Sequence, residues 1–158
     1  MGVLTDYFRA PDAAAVVREL ERTDGGSPEF DGVRAKRIDP TVLLGQLVAA
    51  VRQEPWRAGL VTETPVWPTA PLPGPGGPAD EDDPWATGPW VTELGDDVRD
   101  ALAGAGDERL PPAVAVWAVA EEWGGADPAE LLPVAEELVA LAGRARAAGE
   151  RLYCWICL

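Results

Sequence analysis

The chain is 158 residues long and carries 13 Lys or Arg against 27 Asp or Glu, a formal charge of −14, which opposes binding to nucleic acid or an anionic membrane surface. It contains no histidine and one serine, Ser27, so nucleophilic catalysis by a Ser-His or Cys-His pair is excluded and the commonest general base is missing. An apolar fraction of 47% at this length supports one globular domain over 1–158.

The opening Val3-Leu4-Thr5-Asp6-Tyr7-Phe8 is rich in β-formers and stops at Pro11, which predicts a first strand. Asp12 is placed to cap a helix over Ala13 to Arg22, where Ala13, Val16, Val17 and Leu20 share a face. A short strand is expected at Val33 to Ile38. Asp39-Pro40 then reads as a helix start, with a carboxylate cap and a proline at the first position, followed by the apolar stripe Leu43, Leu44, Leu47, Val48 and Val51.

Leu60 to Trp67 and Trp90 to Leu94 read as strands, the first confined to an edge by Pro65. Between them, Pro65 to Pro89 holds eight prolines and four glycines with little periodicity, and predicts a long irregular acidic loop at about 68–89. Helices are expected over Asp96 to Ala103 and over Ala113 to Trp123, although Val114, Val116 and Ala118 alternate as they would in a strand. Asp127-Pro128-Ala129-Glu130 has capping-box register, and Pro133 predicts either a kink or a fresh helix start before the stop at Gly149. The last residues, Arg151 to Leu158, are almost continuously apolar and β-prone, a pattern that requires burial as an inner strand. The order predicts an α+β domain: a mixed sheet of four to five strands, the C-terminal strand buried, packed against four to five helices.

The layout of Met1-Gly2 before an aromatic strand, the Arg37-Ile38-Asp39 step into a leucine-rich helix, and a closing amphipathic helix turning through glycine into an apolar strand resembles the uncharacterised bacterial YfbM-like family. Where that family carries its signature after the second helix, this chain reads Leu44-Gly45-Gln46-Leu47. The resemblance covers the two chain ends and implies an α+β fold without an activity. Twelve arginines to a single lysine, Lys36, with abundant Ala, Gly and Pro, suggest a GC-rich bacterial source. No basic leader precedes an apolar run, no stretch is long and apolar enough to span a bilayer, and two cysteines are too few for a disulfide framework, so a cytoplasmic protein is expected.

Few constellations offer chemistry. Cys154 and Cys157 have Cys-x-x-Cys spacing but lack further Cys or His ligands for zinc, and in a strand they face opposite sides; they read as core residues. Lys36, the only candidate Schiff-base lysine, lies in the cluster Arg34-Lys36-Arg37, read as a solvated strand face. Glu121-Glu122 and Glu136-Glu137 diverge on their helices, whereas Asp96 and Asp100, one turn apart, share a helix face. The run Asp80, Glu81, Asp82 and Asp83 lacks the alternation of a calcium loop, and no cofactor or metal is assigned.

Charge is uneven: residues 59–158 hold 18 acidic and 5 basic side chains, against 9 and 8 in 1–58. Tryptophans Trp56, Trp67, Trp85 and Trp90 adjoin prolines in or beside the acidic loop, where they either anchor it or offer rigid aromatic surface. The leading expectation is a non-catalytic binding or regulatory module, immunity-like in kind, that meets a basic or Pro-rich protein partner through Trp67, Asp80, Glu81, Asp82, Asp83, Trp85 and Trp90. The alternatives are a small enzyme built on carboxylates alone, with or without a divalent cation, around Asp80 to Asp83 or Asp96 to Asp100, and a homodimeric structural subunit.

Overall fold

The structure, a computed structural model, describes residues 2–158. Its centre is one sheet of five strands: β1 (Leu4–Ala10), β2 (Gly32–Arg34), β3 (Glu63–Trp67), β4 (Trp90–Leu94) and β5 (Arg151–Cys157), in the order β2-β1-β5-β4-β3. Every neighbouring pair is antiparallel, so the sheet is purely antiparallel where the sequence predicts a mixed one. The apolar last strand is therefore the middle one, pairing along its length with β1 from Leu4↔Cys157 to Ala10↔Arg151 and on its other side with β4. The fold is α+β, as the element order predicts.

Strand period two divides the core between the two faces of the sheet. Tyr7, Val33, Leu94, Leu152 and Cys154 face the larger layer, built by helices α2 (Gly45–Arg52), α4 (Asp96–Ala103), α5 (Leu110–Trp117) and α6 (Pro128–Ala148). Phe8, Ala10, Val91, Tyr153 and Trp155 face the smaller one, where Val16 and Leu20 of α1 (Ala13–Arg22) pack with the partly buried Phe30, Val66 and Trp67. A short helix, α3 (Pro84–Thr87), lies in the β3–β4 connection.

Helix starts follow the capping residues. Asp12 accepts from the Ala15 N–H at 2.8 Å, and Asp39 from those of Val42 and Leu43 at 2.6 and 3.3 Å. The turn after Asp39 is wider than expected, a π-helical segment over Pro40–Leu44. There the Gly45 N–H reaches the Pro40 carbonyl, leaving the Thr41 carbonyl to accept from the Trp56 indole at 3.0 Å. Glycine at position 45 lets the Trp56 indole approach this closely, since a Cβ would stand 2.8 Å from Trp56 Nε1 and displace the ring.

Three boundaries differ from expectation. The strand expected over Val33 to Ile38 ends at Arg34, because Lys36 adopts a left-handed conformation (φ 45°) that turns the chain away from the sheet. The strand expected from Leu60 begins at Glu63, with Leu60 and Val61 buried as anchors before it. The helix expected over Ala113 to Trp123 begins earlier, at Leu110, since Pro111 and Pro112 fall where no N–H is needed. It stops at Trp117, and a 3₁₀ turn at Glu121–Trp123 folds back so that Trp117 and Trp123 meet edge to face at 5.0 Å. Helix α6 runs through Pro133 without a fresh start; Ala129 and Pro133 are exposed, so water can serve the Ala129 carbonyl that proline leaves without an N–H.

Candidate functional site

The β3–β4 connection combines the highest local charge with aromatic anchors. Trp67, where the chain leaves β3, packs into the smaller layer. Gly25 lies directly beneath it: a Cβ there would come within 3.1 Å of Pro89 and 3.8 Å of the Trp67 indole nitrogen. The Trp85 indole donates to the Ala70 carbonyl at 3.1 Å, and the Trp90 indole to the Trp85 carbonyl at 3.2 Å. At Gly88 the backbone takes φ 73°, and a Cβ would meet the Trp90 ring at 2.9 Å. The loop's two ends are thus tied to each other and to the sheet through indole N–H groups and close glycine contacts.

The acid run is organised by its own backbone. Asp83 caps α3, accepting from Trp85 N–H at 2.9 Å and from Ala79 N–H at 3.4 Å, while Asp80 accepts from Asp82 N–H at 3.0 Å. Asp80, Glu81 and Asp82 are exposed and Asp83 is half-buried. None of the four forms an ion pair with another described residue. Of the seven residues singled out from sequence, the structure thus makes Trp67, Trp85 and Trp90 the supports and Asp80, Glu81 and Asp82 the outward surface. The indole N–H groups of Trp85 and Trp90 are already engaged within the chain, and both rings are half-buried.

Several carboxylates elsewhere are paired with arginines. Arg99 lies 3.3 Å from Asp96 and 2.9 Å from Asp100, and holds the Asp100 carboxyl below its ordinary range. Arg144 and Arg9 together lower Asp31 to about 2. Arg22 lowers Glu19 in the same way. Each shift keeps the carboxylate ionised, the opposite of what a general acid near neutral pH requires. Burial raises the Cys154 thiol well above its ordinary value, so it is not a thiolate at neutral pH. Cys154 and Cys157 are both unbridged and belong to opposite layers. Among the described residues no three His, Cys, Asp or Glu side chains gather as a metal site.

At the other edge of the sheet, beside β2, lies a cavity of about 570 Å³ that sequence reasoning missed. Its lining joins Val3, Leu4, Ile38, Trp123, Leu131 and Val134 with Arg34, Lys36 and Arg37. The available signal was the cationic cluster at 34–37 in an acidic chain; what concealed the cavity was that its walls come from three distant segments.

No family profile, no curated protein and no solved structure matches the chain.

Proposed function

We propose that this protein is a non-catalytic binding module that engages a basic protein surface through the acidic crest Asp80-Glu81-Asp82. The observation that carries the reading is a dense acidic run on an anchored connection: Asp80, Glu81 and Asp82 are consecutive, exposed and without an ion pair among the described residues, and the connection that carries them is fixed by Trp85 and Trp90. A loop ordered before binding loses less entropy on complex formation, and like charges held together create a local field that steers a cationic partner. The downward carboxylate shifts at Asp31, Asp100 and Glu19 favour this reading over acid-base catalysis.

The test is a titration of the full chain with an arginine-rich peptide, read by backbone NMR shifts, beside a variant carrying Asp80→Asn, Glu81→Gln, Asp82→Asn and Asp83→Asn. Asparagine at 83 keeps a capping acceptor for α3. The reading predicts shifts concentrated at 79–85 that vanish in the variant. Shifts spread evenly over the acidic surface, or unchanged by the substitutions, would reject it.

A second reading, self-association, has one supporting observation. Val116 and Val119 are 63% and 81% exposed and border a shallow apolar groove with Ala50 and Trp56. A melting temperature that rises with protein concentration would support it, and one that does not change would exclude it.

A further inference from the structure

We infer that the cavity beside β2 is a binding site for a small anionic amphiphile, a molecule with an apolar body and one carboxylate or phosphate head. This site is separate from the acidic crest: it flanks β2, one edge of the sheet, while the crest hangs from β3 and β4 at the other.

Three properties coincide there. The volume, about 570 Å³, lies in the range of small-molecule pockets. The floor is apolar, from Ile38, Leu131 and Val134, and at its mouth Val3 and Leu4 remain 39% and 53% exposed, an arrangement that leaves apolar surface in water unless something covers it. The charged side chains of the lining are all cationic. In a chain with 27 acids, no Asp or Glu lines this cavity, and Arg34, Lys36 and Arg37 form no ion pair among the described residues.

Each rim residue is held by the backbone. Arg34 ends β2, opposite Asp6 of β1, and that acid is engaged by the Ser27 hydroxyl at 2.8 Å. The left-handed turn at Lys36 brings the next residue, Arg37, over the Trp123 ring, its guanidinium carbon 5.9 Å from the centroid. Trp123 also lines the cavity, and its indole N–H is buried without an acceptor among the described residues. An apolar body on the floor, with its anionic head at the cationic rim, would satisfy both halves of this lining. Arginine forks suit carboxylate and phosphate alike, so the geometry fixes the charge of the head and leaves its identity to experiment.

The test is isothermal titration calorimetry of the full chain with decanoate, decyl phosphate and the neutral decanol, each below its aggregation concentration. Two variants run beside it: R34Q/K36Q/R37Q, which neutralises exposed residues, and V134W, which fills the floor. The inference predicts saturable binding of one anion per chain and about tenfold weaker binding of decanol. It also predicts a loss of about tenfold or more for the anion in the neutralised variant, and no binding to V134W, with both variants melting as cooperatively as wild type. Binding by decanoate identifies a carboxylate head and binding by decyl phosphate alone a phosphate head; either supports the site. Absence of saturable binding by both anions, equal affinity for decanol, or anion binding that survives the neutralised variant would overturn it.

Discussion

Single side chains set the acid limit of this fold. Asp31 receives a two-pronged contact from Arg144 at 2.8 and 2.9 Å and a third bond from Arg9 at 2.7 Å, tying the β2 approach to α6 and β1. Its carboxyl is lowered from 3.8 to about 2. A depressed carboxyl stabilises the folded state above its unfolded value and ceases to do so as pH falls through its folded value, so this contribution fades between about pH 4 and pH 2. Asp31→Asn should lower stability by up to about 1 kcal/mol at neutral pH, since the carboxylate is partly exposed and screened. The difference from wild type should then shrink as pH falls through that window, read by denaturant midpoints at several pH values. The buried counterpart is Trp117, 1% exposed, whose indole donates to the Leu43 carbonyl at 2.8 Å. Trp117→Ala should cost about 3 to 5 kcal/mol, a large share of a typical domain's total, measured by the same midpoints.

Among the elements, β5 and the β3–β4 connection matter most. β5 is hydrogen-bonded on both sides and supplies Leu152 and Cys154 to one layer and Tyr153 and Trp155 to the other. Deleting 152–158 should therefore abolish the cooperative melting transition. In the connection, Trp85→Phe keeps the ring but removes the N–H donated to Ala70. It should leave the melting temperature nearly unchanged while exposing residues 70–83 to faster proteolysis under native conditions, because the loss is local. Both elements were legible in sequence for the same reason: an unbroken apolar terminal run has no stable place except a sheet interior, and a proline-rich acidic stretch has no ladder to join. Caps were legible too, as Asp12 and Asp39 show, since the interaction is encoded within four residues. The wide turn at Pro40–Leu44 and the stop at Trp117 were not, because each depends on a distant partner: the Trp56 indole for one and the Trp123 ring for the other. The cavity beside β2 was hidden in the same way, its cations visible in sequence and its apolar floor contributed by α6 and the segment around Trp123.

At the scale of the whole molecule, an acidic and a cationic cluster stand at opposite edges of the sheet. Asp80, Glu81 and Asp82 hang from the β3–β4 side, and Arg34, Lys36 and Arg37 stand beside β2 at the opposite edge, none of the six in an ion pair among the described residues. Adjacent acids create a local negative field, so a basic partner should be steered to the β3–β4 side, with an association rate that falls as salt is added. The central claim is that this side, through its acidic crest, binds a basic protein. The most direct measurement is quantitative affinity capture from a bacterial lysate at low salt and at about 0.5 M salt, with wild type beside the variant neutralised at positions 80–83. The account predicts a basic protein retained by wild type at low salt, released at high salt, and absent from the variant although the variant melts as wild type does. A captured protein held equally by the two, or no basic protein held by wild type at all, would contradict it.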